Sequence, residues 1–419
     1  MKRGSFERAA ERLAQRLADL GRVTDEPGRL SRTFLSPAMR RANALVGKWM
    51  KDAGLKVSED AVGNLIGRGE GPKRGAKTLL LGSHLDTVLA AGRFDGALGV
   101  LLPIVALGEL RRRGIQLPFA VEVLGFSEEE GVRFASAYLG SKGYAGRLRA
   151  ADLNLRDAQG VTVRQALKRW AGSRRSGPLP ASYPAHARKE LLGYVEVHIE
   201  QGPVLEAKEL SVGVVSGIAG QTRARLIFRG RAGHAGTTPM ALRRDALAGA
   251  AEFVLAAEAL ARRDRALVAT VGSLTVSPGA SNVIPAEAVL TLDVRHPRDA
   301  MRRAALRALQ GRAARIARRR RLTLSWEQTQ DDNAVACSRQ LTMLLAQSVR
   351  AQQGRCVELT SGAGHDAVTM ATMASIAMLF VRCRGGLSHH ADEYVAPTDI
   401  AMALRVLVDF LERLAGTIK

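Results

Sequence analysis

The sequence is poor in cysteine. Cys337, Cys356 and Cys383 are the three in 419 residues, and no two form a Cys-x-x-Cys pair. That argues against a thiolate metal site or a disulfide scaffold and fits a reducing compartment, the cytoplasm. Aromatic residues make up 4% of the chain, which leaves few stacking platforms for single-stranded nucleic acid. No apolar run approaches the ~20 residues that span a bilayer, so no membrane partner is expected. The first residues, Met1-Lys2-Arg3-Gly4-Ser5-Phe6, lead into a charged amphipathic stretch without the apolar core of a secretory signal.

Acidic residues are the other shortage. Forty Asp and Glu face 62 Lys and Arg, a formal charge of +22. Such a balance suits a polyanion-binding protein. The excess, however, is spread along the chain and is densest in expected helices, as at Arg312, Arg315 and Arg318-Arg319-Arg320-Arg321. A solvated, arginine-rich surface is expected, with no specific nucleic-acid partner.

The order of apolar periods predicts the architecture. A helix is expected from about Phe6 to Leu20. Ser36-Pro37 has the form of an N-cap followed by a first-turn proline, opening a helix that Gly54 stops. Thr78–Leu81 and Phe119–Phe126 read as buried strands with an apolar helix, about Ala97 to Arg112, between them. Tyr194–Ile199 is a third strand. This is the grammar of an α/β sheet. Near Leu210 the texture shifts. A strand at Arg223–Phe228, a helix at about Arg244–Arg263, a strand at Ala288–Arg295 and a basic helix at about Arg298–Arg319 suggest a small α+β domain. It is placed at residues 211–328, inserted into a larger domain made of residues 1–210 and 329–419.

Five clusters of His, Asp and Glu mostly follow the buried strands. In His84-Leu85-Asp86 the histidine can ligate a metal while Asp86 holds its other ring nitrogen; taken alone, it reads as a structural histidine. Asp95 stands between Gly92 and Gly96, on a loop where a carboxylate can reach two ions; taken alone, it reads as a turn residue. Glu128-Glu129-Glu130 gathers carboxylates that repel unless cations sit among them. His198-Ile199-Glu200 and Ser388-His389-His390 complete the set. Ligand sites of open α/β sheets gather beyond the carboxyl ends of the strands. All-nitrogen and oxygen ligation suits zinc, manganese, cobalt or nickel.

Gly82-Ser83-His84-Leu85-Asp86-Thr87, Phe94-Asp95-Gly96, Glu129-Glu130-Gly131-Val132-Arg133-Phe134 and His198-Ile199-Glu200-Gln201-Gly202 occur in that order. Gly233-His234-Ala235-Gly236-Thr237, Ser361-Gly362-Ala363-Gly364-His365-Asp366 and Gly386-Leu387-Ser388-His389 follow. The ordered set resembles the M20 metallopeptidase superfamily. Within it, the chain is similar to the branch of allantoate amidohydrolases, N-carbamoyl-L-amino acid hydrolases and β-ureidopropionases, which has a histidine at the position of His198. The likeness runs from about Arg29 to the C-terminal helix.

The resemblance implies an α/β two-metal catalytic domain with an inserted α+β dimerisation or lid domain. It implies two divalent cations per subunit bridged by Asp95, one also taking His84 and His198, the other Glu130 and His389. Counting back from Gly131 makes Glu129 the general base and Glu130 the ligand, with Asp86 behind His84 as part of the catalytic set. His234 is implied to reach the partner subunit's site in a homodimer and to stabilise the developing oxyanion, while Gln221, Asn282 and Arg295 hold a small ureido substrate. The implied activity is hydrolysis of a ureido C–N bond, with allantoate the leading substrate and an N-carbamoyl-L-amino acid or N-carbamoyl-β-alanine the alternative. A polyanion-binding protein is the reading from another class. His365 and Asp366 sit in a matched motif without an assigned role, and His186 and His296 read as structural or surface residues.

Overall fold

The computed structural model describes residues 4–172 and 191–418. The chain divides into two compact units, residues 1–216 with 336–419, and residues 217–335. Each has its own buried apolar cluster.

The first unit is built on a mixed sheet. Its middle runs Ala120–Phe126, Thr78–His84, Leu191–Ile199, Ile376–Val381, all parallel. The first three of these strands have continuous or nearly continuous buried runs, as expected for strands covered on both faces. Helix Ala97–Arg112 is apolar nearly all round and packs on Thr78–His84 and Leu191–Ile199. Helices Gly4–Gly21 and Pro397–Thr417 pack beside it. Ser36 caps helix Pro37–Asp52 as the sequence predicts, its side chain accepting from the Met39 amide, a contact worth about 1 kcal/mol.

Parallel register decides where the polar residues fall. His84 lies opposite Phe126, and His198 opposite Phe380. Two histidines and the Ser127-Glu128-Glu129-Glu130 turn are therefore delivered to the same carboxyl-terminal edge of the sheet.

The second unit is a four-stranded antiparallel sheet in the order Thr323–Asp332, Gly220–Arg229, Glu287–His296, Val268–Ser277. Helices Ala246–Ala261 and Asp299–Arg319 pack on it around Phe228, Phe253, Leu290 and Leu309. A two-stranded ribbon pairs Gly233–His234 with Val283–Ile284.

The unit boundaries lie further along the chain than residues 211 and 328. Val212–Ile218 is apolar and strand-like, but Val212–Val215 pairs with Ile376–Val381 of the first unit's sheet. Strand Thr323–Asp332 pairs along Gly220–Arg229, so the α/β unit resumes after it rather than at residue 329. Local pattern identifies a strand; only pairing says which sheet it joins.

Arg32 joins the two ends of the first unit's front. It is fully buried, and its guanidinium donates to the carbonyls of Leu85 at 2.6 Å, Val23 at 2.9 Å and Leu20 at 3.1 Å. Burial lowers its pKa to about 10, against the opposing pull of Asp86 and Asp25. It thereby ties the end of the first helix to the segment that carries His84. Arg32→Met should lower stability by about 3 kcal/mol, because it orphans buried carbonyls. Equilibrium urea unfolding measures this; an unmoved midpoint would mean that water replaces the guanidinium.

Candidate metal centre and active site

His84 ends its strand almost wholly buried, with Nδ1 3.1 Å from the Asp86 carbonyl and Nε2 3.6 Å from Asp95 Oδ1. His198, near the end of the neighbouring strand, repeats the arrangement. Its Nδ1 is 3.0 Å from the Ile199 carbonyl and its Nε2 3.1 Å from the same Asp95 oxygen. A carbonyl only accepts, so each Nδ1 carries a proton. Each neutral ring then turns an Nε2 lone pair toward a carboxylate oxygen. Acceptor facing acceptor is unfavourable unless a positive charge lies between them. The pKa directions agree: burial opposes charging His84, yet Asp86 and Asp95 outweigh it and raise the ring well above its usual range. Burial alone would raise Asp95, yet His198, His389 and His84 hold it well below the usual carboxylate range.

The other oxygen of Asp95 faces the C-terminal segment. His389 Nε2 is 3.4 Å from Asp95 Oδ2 and 3.6 Å from Glu130 Oε2. His389 has a left-handed backbone, φ 56°, while the neighbouring His390 is exposed and its ring accepts from the amide of Asp392. The structure thus separates the two adjacent histidines. Four sets of side chains among the described residues could hold a cation: His84, Asp95 and His198; Asp95, Glu130 and His389; His84, Glu129 and Glu130; and Glu196, His198 and His365. Within each set the ligand atoms lie within 4.8 Å of one another.

The three consecutive glutamates also part company. Glu128 accepts from the amides of Gly131 at 2.5 Å and Leu139 at 2.8 Å, and so pins its own loop. Glu129 is buried without a side-chain hydrogen bond among the described residues. Burial, with Glu130 and Asp366 adding and His84 opposing, raises its carboxyl well above the ordinary range. Burial raises Glu130 to about 7, with Asp95 adding and His84 opposing.

Asp86 organises the pair from behind. It accepts the amides of Glu129 at 3.0 Å and Glu130 at 3.2 Å, and lies 3.4 Å from His84 Nδ1. Through these contacts it positions His84 and the glutamate turn. Helix Ala97–Arg112 starts at Gly96, φ 63°, where a Cβ would sit 2.4 Å from the His84 ring. Only glycine lets the helix begin that close to the histidine.

Four residues here carry no role in the sequence reading. Glu393 is buried and accepts the amides of Phe94 at 2.7 Å and Asp95 at 3.0 Å. Gln201 and Ser388 both donate to Asp95 Oδ2, at 2.9 and 2.7 Å. Glu196, two residues before His198 on its strand, accepts from Ser83 and the Ala367 amide. The two-residue spacing was the available signal for Glu196; nothing local marks Glu393. His365 is buried, with Nε2 2.7 Å from Ser361 Oγ and its ring edge-on to His198 at 4.4 Å. Asp366 is buried beside it and starts a short helix.

The second unit holds the remaining residues. Gln221 and Arg295 are cross-strand partners. His234 is exposed in the ribbon, and Asn282 accepts the Ala235 amide through its carbonyl. The Gly236 amide donates to His234 Nδ1 at 3.1 Å, so the neutral ring carries its proton on Nε2. His296 is buried 3.1 Å from Asp264, and His186 lies outside the described residues.

Residues 80–413 match the profile of peptidase family M20/M25/M40. The chain belongs to this family. It is 41% identical to allantoate deiminase of Arabidopsis thaliana over 433 residues, covering 95% of this chain and 81% of that protein. It is 40% identical to N-carbamoyl-L-amino acid amidohydrolase of Geobacillus stearothermophilus, covering 97% and 98%. A solved amidase of the hydantoinase/carbamoylase family from Burkholderia multivorans aligns with a TM-score of 0.89 at 34% identity, over 96% of this chain and 97% of that one. M20 proteins are generally metal-dependent, and the donor set here fits that dependence. No helix among the described residues is long and apolar enough to cross a membrane.

Glu393 gives a test of how the centre is held. Glu393→Ala removes the acceptor for the Phe94 and Asp95 amides and should weaken divalent-cation affinity by about 10–100-fold. Glu393→Gln keeps one carbonyl acceptor and should lose less. Competition with a chromophoric chelator reads both; unchanged affinity in Glu393→Ala would show that the Asp95 turn holds itself.

Proposed function

We propose that this chain hydrolyses a ureido C–N bond in a small carboxylated substrate. Allantoate, with release of ammonia and carbon dioxide, is the leading assignment; an N-carbamoyl-L-amino acid or N-carbamoyl-β-alanine is the alternative. The observation that carries the reading is the division among the three glutamates. Glu128 is tied to backbone amides, while Glu129 and Glu130 lie with His84 in one possible metal-binding set.

Two divalent cations, zinc, manganese, cobalt or nickel, suit the donors. His84 and His198 would hold one, Glu130 and His389 the other, with Asp95 shared. Bound there, they supply a polarised carbonyl and a more acidic water. The protein's own part is proton handling and positioning. Glu129 takes the proton of the attacking water on its carboxylate and returns it to the leaving nitrogen as the C–N bond breaks. His234 offers Nε2–H to the developing oxyanion, a contact worth roughly 3–4 kcal/mol in a dry site. Arg295 grips the substrate carboxylate, for which a guanidinium fork is matched, and Gln221 and Asn282 orient the rest. The roles of Glu129, His234, Arg295, Gln221 and Asn282, and of a homodimer in which His234 serves the partner's centre, rest on the family resemblance.

Purified protein reconstituted with each metal should release ammonia from one of allantoate, N-carbamoyl-L-amino acids and N-carbamoyl-β-alanine assayed side by side. Removing the metal should abolish turnover. Glu129→Gln should keep its cations and lose turnover by about 10²–10⁴-fold. Asp95→Ala should lose both cations together. Cation loss in Glu129→Gln but not in Glu130→Gln would exchange the two roles, and no ammonia from any of the three would sink the reading.

For the dimer, mixing His234→Ala with Glu129→Gln subunits should restore part of the activity, since one site in a hybrid is then intact. A mixture that stays inactive despite proven subunit exchange would refute action in trans.

A further inference from the structure

Helix Asp299–Arg319 of the second unit buries Ala305, Leu306, Leu309, Ala313 and Ile316 against its own core. Its outward face carries Arg303, Arg307, Arg315 and Arg318, all exposed. At about 100° and 1.5 Å per residue, these four form a stripe roughly 120° wide and roughly 22 Å long. The residues set among them are small: Ala304, Gly311 and Ala314.

Other arginines of this helix are already engaged. Arg302 is buried and pairs with Asp299 and Asp331, Arg312 donates to the Ala256 carbonyl, and Arg319 pairs with Glu252. The stripe is different. Arg303 donates to the Asn333 side-chain oxygen at 2.9 Å, and Arg307, Arg315 and Arg318 form no ion pair among the described residues. The one acid of the helix, Asp299, is taken by Arg302 and the Ala334 amide. Arg303 with Arg307 and Arg315 with Arg318 stand four and three positions apart, where like charges repel. The unit's own packing therefore holds a straight row of cations that repel one another and have no acid to meet.

We infer that this row binds the phosphodiester backbone of double-stranded nucleic acid without reading its sequence. Guanidinium forks match phosphate oxygens. A duplex carries one charge per about 1.7 Å of its axis, so a rigid row roughly 22 Å long meets several phosphates at once. The stripe holds no aromatic ring, so a single strand gains no stacking there. Helices that lie in a membrane surface set a large apolar face against their basic one; here the apolar face is spent on the core, and alanine and glycine lie among the arginines. The inference is independent of the ureido-hydrolase reading, because it uses none of that site's residues.

Fluorescence anisotropy with a 20-base-pair DNA duplex, at several salt concentrations, tests it. With four phosphate contacts, log affinity should fall against log salt with a slope of about −4, at about 0.9 per contact. Two duplexes of unrelated sequence should bind alike. The variant Arg307→Gln, Arg315→Gln, Arg318→Gln should flatten the slope by about three, and Arg318→Gln alone by about one. The single change keeps the test open should the triple variant fail to fold. A control removes the same charge elsewhere, at the exposed Arg8, Arg12 and Arg74 of the first unit. Changing these three to Gln should leave the slope as it was. Equal flattening in both triple variants would assign binding to net charge and overturn the inference. So would the absence of binding at 50 mM salt, or a tenfold difference between the two duplexes. Tighter binding to anionic phosphatidylserine vesicles than to the duplex, lost with the same three arginines, would make the face a membrane surface and overturn it as well.

Discussion

Everything in the first unit answers to one electrostatic problem: lone pairs and carboxylates are brought together with too little protein cation among them. The Nε2 atoms of His84 and His198 point at one oxygen of Asp95, and Glu129 and Glu130 crowd the same space. Such a gathering costs free energy that the remaining fold must meet. The surroundings show how. Asp86 and Glu128 take up backbone amides of the glutamate turn, Glu393 takes up those of the Asp95 turn, and Gln201 and Ser388 donate to Asp95 itself. Each acid is placed by N–H or O–H donors rather than by arginine or lysine. An arginine there would neutralise the centre and occupy the place of a cation. In a chain with 62 Lys and Arg, the fully buried Arg32 spends its hydrogen bonds on the Leu20, Val23 and Leu85 carbonyls rather than on these acids.

The elements of this arrangement were legible where the signal is local. Buried strands ending in histidine, the apolar helix after Asp95 and the Ser36-Pro37 cap all appear within a residue or a few of where periodicity puts them. The ordered motifs likewise brought His84, Asp95, Glu130, His198 and His389 to one place. The residues that were not legible share a different property. Glu393 meets Phe94 across 299 positions, and Glu196 meets Ala367 across 171. Both accept main-chain amides, which leave no mark in the sequence, and Glu196 takes the Ser83 hydroxyl as well. The unit boundaries slipped for a related reason, because Val212–Ile218 has the composition of a strand but its sheet is chosen by a partner at Ile376–Val381.

The triple glutamate illustrates the limit from the other side. Three identical side chains offer no chemical distinction in sequence, and only spacing from Gly131 ranks them. In the fold they differ in what their oxygens meet: Glu128 faces amides, Glu129 meets no donor among the described residues, and Glu130 faces His389. The same holds for His389 and His390, which a single left-handed residue turns in different directions. Neighbours in sequence acquire separate chemistry through backbone geometry alone.

The second unit stands in contrast. It has its own core, and its polar cluster is built around a carboxylate saturated by guanidinium and amide donors, without the acceptor crowding of the first unit. On the proposed reading, reactive charge and substrate recognition are thus carried by separately packed parts of one chain. A substitution on the open face of the Gln221–Arg295 strand pair can then change which acid is held without disturbing the histidines and acids of the centre. Whole-chain likeness does not see that distinction. Identities of 41% and 40% to relatives bearing two different activity names assign the ureido-hydrolase class without choosing between the two. Substrate choice then falls, on the proposed reading, to the strand pair of Gln221 and Arg295 rather than to the histidines and acids of the first unit.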